Sequence, residues 1–236
     1  VKSAASGIAA AGAGLEIFSA QSWQMSFGER AALEGLLAQL RPALSIEIGT
    51  AEGGSLERIA AHSTRVHSFD LVEPLARVRA LPNVEFHLGD SHELLPEVLA
   101  QLSRARRNVD FVLVDGDHSA EGVFRDLMDL LWSEALLKTI ILTHDTTNDV
   151  VRSGLERVPY EQFPKVAHVD LDFVPGYLAQ EGPFSGQLWG GLGLVIVDAS
   201  GGWPRTDDPR QRRFFPAWKL FGIAREALEL GSAGSP

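Results

Sequence analysis

Leu44-Ser-Ile-Glu-Ile-Gly-Thr-Ala-Glu-Gly-Gly-Ser55 is the stretch on which the fold turns. Leu44–Ile48 is short, rich in β-formers and closed by Gly49, so it reads as a strand. Glycines at 49 and 53 let the backbone bend tightly and let a ligand lie against bare amides. Leu56, Ile59 and Ala60 then follow at helical spacing. Upstream, Ser26-x-x-Glu29 has capping-box spacing, Leu33, Leu36, Leu37 and Leu40 continue the helix, and Pro42 stops it.

The same alternation recurs downstream. Arg65–Asp70, Val84–Leu88, Val109–Val114 and Thr139–Thr143 read as strands. Between them run the amphipathic sets Leu94/Leu95/Val98/Leu102 and Phe124/Leu127/Leu130/Leu131. Strands alternating with helices imply right-handed crossovers. After a helix near Val150–Val158, two β-rich stretches, Lys165–Val174 and Gly193–Asp198, flank a Gly/Pro-rich insert, Val174–Gly193. With no helical crossover between them they suggest an antiparallel pair at one edge. The expected fold is α/β: a single Rossmann-like, doubly wound, seven-stranded sheet, mostly parallel with an antiparallel edge pair. Residues 1–21 are expected to be an N-terminal arm, and residues 22–236 one domain whose last helix starts at Pro216. The link Gly201–Arg213, with four arginines and two aspartates, reads as a solvated loop, with a subunit or anionic-ligand contact as the alternative.

Composition narrows the function. The 236 residues carry 21 Lys+Arg against 31 Asp+Glu, a formal charge of −10, so no nucleic-acid surface is expected. Without cysteine there is no disulfide, thiolate zinc site or cysteine nucleophile. No apolar run approaches the roughly eighteen residues of a membrane span. Gly7–Gly14 faintly resembles the middle of a signal peptide but is poor in Leu, and a cytoplasmic location is expected.

In an open parallel sheet, ligands bind beyond the carboxyl ends of the strands, near the point where strand order reverses. Each strand end here bears an acid: Glu47 before Gly49-Thr50-Ala-Glu-Gly53-Gly-Ser55, then Asp70, Asp90, Asp115-Gly-Asp117-His118 and His144-Asp145. Five such ends are expected to converge on one cleft. Asp70 lies twenty-one residues after Gly49, where a carboxylate reaches a ribose diol. Gly49-x-Ala51-x-x-Gly54 resembles a degenerate dinucleotide turn, but Glu47 and Glu52 would repel a diphosphate. A cationic ligand bearing a ribose suits these acids better, and S-adenosylmethionine answers that description.

Glu47-x-Gly49-x-x-x-Gly53, Asp70, Gly89-Asp90 and Val114-Asp-Gly-Asp-His118 resemble, in order, the motifs of class I S-adenosylmethionine-dependent methyltransferases, over roughly residues 22–198. The resemblance implies that Glu47 and Gly49 lie near the methionine portion of the cofactor, and that Thr50, Gly53, Ser55, Asp115 and Asp117 are further cofactor-binding residues. It implies that Asp70 holds the ribose and that Asp90 approaches the adenine. Val114-Asp-Gly-Asp-His-Ser119 with Leu142-Thr-His-Asp-Thr146 is similar to the branch containing catechol-type, cephalosporin-pathway and macrolide-sugar O-methyltransferases. That likeness implies a divalent metal, Mg²⁺ or Mn²⁺, on Asp115, His144 and Asp145, although an imidazole suits Mn²⁺, Fe²⁺ or Zn²⁺ better than Mg²⁺. It implies that His118 and Asp115 are catalytic, with His118 as the base removing a hydroxyl proton.

The competing role for His118 is to cap or pack the following helix, and Asp117 could do the same. His62, His67, His87, His92 and His168 show no metal-ligand spacing and read as structural or surface residues. Trp23, Trp189 and Gly190–Gly193 are candidates for an acceptor pocket, or for simple packing. The expected partner is a small-molecule hydroxyl, on a sugar or secondary metabolite, with a homo-oligomer possible and no membrane. A nicotinamide-dependent oxidoreductase and a non-catalytic cofactor-binding subunit are the rival readings.

Overall fold

The computed structural model describes residues 24–180 and 182–201. The expected N-terminal arm, Trp23, the expected loop beyond Gly201 and the helix expected from Pro216 lie outside these residues. The first helix, α1 (Phe27–Leu40), starts at the expected capping box: the Ser26 hydroxyl accepts from Glu29 N–H, and Glu29 accepts from Ser26 N–H. Arg41, left-handed ahead of Pro42, ends it.

Five strand–helix units follow: β1 (Leu44–Ile48), α2 (Gly54–His62), β2 (Arg65–Asp70), α3 (Ala76–Arg79), β3 (Val84–Leu88), α4 (Ser91–Arg104), β4 (Phe111–Val114), α5 (Ala120–Trp132), β5 (Lys138–His144) and α6 (Asp149–Arg157). The described residues end with β6 (Val166–Val174), β7 (Tyr177–Leu178), β8 (Leu188–Trp189) and β9 (Leu192–Asp198). The main sheet has seven strands in the order β3-β2-β1-β4-β5-β9-β6. Strands β1 to β5 pair in parallel, while β9 runs antiparallel to both β5 and β6. This is the expected architecture. Three features went unforeseen: the single-turn α3, a 3-10 turn at Tyr160–Gln162, and a small hairpin of β7 and β8 inside the Gly/Pro-rich insert.

Strand alternation divides the core into two layers. Ile46, Ile48, Phe69, Val112, Val114 and Ile141 pack with residues of α4, α5 and α6, among them Leu95, Leu127 and Val151. Phe111, Leu113 and Leu142 face the other way, against Leu33 and Leu37 of α1 and Leu56 and Ile59 of α2. The second face also carries Glu47, Asp115 and His144, so the helix α1 sits over the candidate site. Strand order reverses between β1 and β4. There Gly49 has φ +89°, and a Cβ on it would lie 2.0 Å from the Asp115 carbonyl oxygen, so only glycine permits this approach.

Candidate active site

A cavity of about 810 Å³ opens over the carboxyl ends of β1, β4 and β5. The Gly49–Ser55 turn lines it, together with Asp115, His118, His144 and Asp145, and with Tyr177, Phe184 and Trp189 of the hairpin insert. Of the anticipated site residues, the structure brings Asp115, His118, His144 and Asp145 into one cluster. Asp145 follows β5 in a left-handed conformation, φ +55°, uncommon for a side chain other than glycine and typical of strained functional turns. Its Oδ1 accepts from Gly190 N–H at 2.6 Å, which leaves Oδ2 for the two imidazoles: 3.1 Å to His118 Nε2 and 3.5 Å to His144 Nδ1. Asp115 Oδ1 lies 3.4 Å from His118 Nε2 and 2.9 Å from His144 Nδ1.

The member of this cluster that sequence reasoning missed is Glu29. It was read only as half of a capping box, and it is that, but its second oxygen does more. Oε1 accepts from Gly191 N–H at 2.5 Å and meets His144 Nε2 at 3.1 Å. The side chain is fully buried, so α1, the end of β5 and the turn before β9 are locked together at one carboxylate. Its only sequence signal was an acid at the third position of a helix.

The electrostatics follow from this crowding. Burial pushes the His144 pKa down, but Asp115, Asp145 and Glu29 overcome that and raise it well above the ordinary value. His118, held by Asp115 and Asp145, is pushed up to about 10 despite partial burial. Asp145 is desolvated, yet its hydrogen bonds to the two imidazoles hold it well below the usual carboxylate range. Asp115 and Glu29 are lowered in the same way, against their burial.

Glu47 stands apart beneath the turn. It is fully buried, and Ser55 Oγ donates to it at 2.7 Å and Ser68 Oγ at 3.1 Å. Burial, aided by the charge of Asp115 and only partly offset by those hydroxyls, pushes its pKa up to about 8.

Asp70, Asp90 and Asp117 do not join the cluster, and the five acids do not converge on a single point. Asp70 Oδ2 accepts from the Thr50 and Ala51 amides at 2.8 and 3.0 Å, and Oδ1 from Val72 N–H at 2.8 Å, so it braces the first turn. Asp90 caps α4, accepting from His92 N–H at 2.9 Å. Asp117 accepts from Ser119, and Ser119 in turn is the cap of α5.

Asp115, His144 and Asp145 can each present one donor atom within 4.8 Å of the others. Because Glu29 takes the Nε2 side of His144, the Nδ1 lone pair is aimed at two carboxylate oxygens. Such an arrangement of acceptors requires a proton or a cation between them. A carboxylate that fixes the outer nitrogen of a histidine is also the usual support of a metal-binding imidazole. The donor set therefore fits a divalent cation, and its mixed nitrogen and oxygen character suits Mn²⁺, Fe²⁺ or Zn²⁺ better than Mg²⁺.

Fold, cavity and turn together are those of a Rossmann-like α/β domain whose site lies at the strand-order switch point. Residues 46–146 match the family model described as a methyltransferase domain, a span that runs from β1 to just beyond β5. No curated protein matches the sequence. Among solved structures, the chain is similar to an O-methyltransferase from Bacillus cereus in complex with S-adenosylhomocysteine, with 20% identity, 80% of this chain and 86% of that one covered, and a TM-score of 0.52. It is similar to the O-methyltransferase TomG from Streptomyces achromogenes, involved in tomaymycin synthesis and solved with S-adenosylmethionine (17% identity, 84% and 92% covered, TM-score 0.52). It is similar also to the MycE methyltransferase of the mycinamycin pathway, in complex with Mg, S-adenosylhomocysteine and mycinamycin VI (14% identity, TM-score 0.52); the match covers 81% of this chain and 55% of that one. Among the described residues, no helix is long and apolar enough to cross a membrane.

Proposed function

We propose that the protein is an S-adenosylmethionine-dependent O-methyltransferase, moving the sulfonium methyl to a hydroxyl of a small molecule, a sugar or secondary metabolite, with a divalent cation assisting. The observation that carries this reading is the cluster of Asp115, His118, His144 and Asp145, open to a cavity whose other lining includes the glycine turn. In the transfer, the bond between acceptor oxygen and methyl carbon forms as the carbon–sulfur bond breaks, and the hydroxyl proton leaves to a base. A divalent cation held by Asp115, His144 and Asp145 would stabilise the charge developing on the acceptor oxygen.

The protein's own groups do the rest. The Gly49–Ser55 turn positions the donor, and Glu47, protonated at pH 7 in the free protein, becomes a carboxylate partner when the donor's cationic end draws off its proton. Asp70 keeps the turn in shape and, with Asp90, lies on the side proposed for the nucleoside. His118, on the rim and half-exposed, is placed to take the proton. It can do so only when the charges of Asp115 and Asp145 are otherwise engaged, because those two acids hold its own proton. Trp189 meets His118 edge-on at 5.8 Å and Phe184 at 4.9 Å, so an aromatic wall borders the reacting corner. Enclosure of this kind orients an acceptor, the part of catalysis that holding reactants in line supplies.

Methyl transfer from labelled S-adenosylmethionine to a panel of hydroxylated small molecules, with product mapping, tests the reading. The expected product is an O-methyl ether whose formation drops in chelator and recovers with Mn²⁺ or Mg²⁺. Transfer to nitrogen or carbon alone, or full activity in chelator by wild type and Asp145→Asn alike, overturns the corresponding part.

A further inference from the structure

Away from the cleft, three side chains that sequence spacing kept apart meet at the open edge of the sheet. His67 lies on β2, and Glu85 and His87 lie on β3, the edge strand. The parallel register sets His67 opposite Glu85 and Phe69 opposite His87. Residues 85 and 87 share one face of β3 by alternation. His67 Nδ1 and His87 Nε2 are 2.9 Å apart, and the Glu85 oxygens lie 3.8 Å from the first and 3.9 Å from the second. Each residue can give one donor atom within 4.8 Å of the other two. The Phe69 ring stacks on His87, with centroids 4.5 Å apart, and so fixes its plane. His67 is buried and Glu85 exposed, leaving the cluster closed on its inner side and open to solvent at the edge.

Burial pushes the His67 pKa down to about 4, with Glu85 only partly opposing it. His87 is lowered for the same reason. Both rings are therefore neutral at pH 7, the form that ligates metals.

We infer that His67, Glu85 and His87 form a binding site for a borderline divalent transition metal such as Zn²⁺, Co²⁺ or Ni²⁺, clasping β2 to β3. Two imidazoles and one carboxylate are the donors such ions take, whereas a single carboxylate supplies too little oxygen for Mg²⁺ or Ca²⁺. Donor atoms about 2.0–2.2 Å from a common ion stand roughly 3–3.5 Å apart, close to the separations observed. One group competes. Arg65 Nη2 holds Glu85 Oε2, but this pair is exposed and such pairs are weak. The clasp would tie together the strands that end at Asp70 and lead to Asp90, and it is independent of the methyl-transfer reading.

Calorimetric titration of untagged protein with ZnCl₂ tests it, comparing wild type with Glu85→Gln, Arg65→Ala and His87→Ala. The clasp predicts one zinc equivalent per chain, separate from any held in the cleft, that is lost in His87→Ala, weakened at least about tenfold in Glu85→Gln, and tightened in Arg65→Ala, where the competing cation is gone. Zinc should also raise the melting temperature of wild type by roughly 5–10 °C at about a hundredfold excess over Kd, and that of His87→Ala by less. Zinc held in the cleft is untouched by these three changes, so the two sites are told apart. The surface changes at 65 and 85 keep the test sound even if His87→Ala folds poorly. Zinc stoichiometry and affinity equal in all four proteins would overturn the inference.

Discussion

Glu47→Gln is expected to stabilise the protein while weakening its hold on the cofactor. The carboxyl at the end of β1 is buried, satisfied by Ser55 and Ser68, and has its pKa pushed up to about 8, chiefly by burial. In the unfolded chain it titrates near the ordinary 4.5. Between those values the native state binds one more proton than the unfolded state. Stability therefore falls as pH rises through that window, by about 1.4 kcal/mol per unit. At pH 7 the accumulated cost is roughly 3 kcal/mol, and it is complete near pH 8. Glutamine has the same shape, can keep both hydroxyl contacts and carries no such cost. Melting curves of the two proteins without cofactor, recorded from pH 4 to 8, measure the effect. The variant should melt roughly 6–10 °C higher at pH 7, with the gap shrinking as pH falls and closing below about 4.5. A gap independent of pH, or a less stable variant, would refute the reasoning. The same variant should bind S-adenosylhomocysteine more weakly, because the cationic amine can draw the proton off Glu47 and gain a charged partner that glutamine cannot supply; a residue that costs stability and serves binding marks a functional site.

Four further outcomes follow from the geometry. Asp145→Asn should lower methyl transfer by about 100-fold or more, read in a radiolabel assay, while changing cofactor affinity by less than about threefold. Glu29→Gln should keep the capping contact and the fold, seen by circular dichroism, but reduce metal affinity or turnover roughly 10–100-fold by releasing His144. Trp189→Ala should raise KM for an aromatic acceptor about 3- to 10-fold with a smaller change in kcat. Gly49→Ala should destabilise by about 3 kcal/mol in denaturant melts, since its Cβ has no room beside Asp115.

Much of this was legible in the residues themselves. Each of β1 to β5 is short, β-rich and bounded by turn residues, and the helices between them repeat apolar positions at helical spacing, so the alternation and the doubly wound sheet could be read directly. Asp115, His118, His144 and Asp145 were legible because they end strands that must be neighbours. Glu29 was not, since its partners His144 and Gly191 lie 115 and 162 residues away. Asp70 and Asp90 stand at the expected strand ends, and their carboxylates accept from backbone amides there, contacts that spacing along the sequence does not reveal. The hairpin of β7 and β8 escaped because two-residue strands have no periodicity to detect. His67 and His87 met only once the register of β2 on β3 was known, which spacing along one chain does not contain.

The most direct measurement is isothermal titration of the wild-type protein with S-adenosylhomocysteine. The acid-lined glycine turn predicts one bound molecule per chain, with affinity reduced in Glu47→Gln. Absence of binding heat at two temperatures, with the protein folded by circular dichroism, would contradict the account at its root.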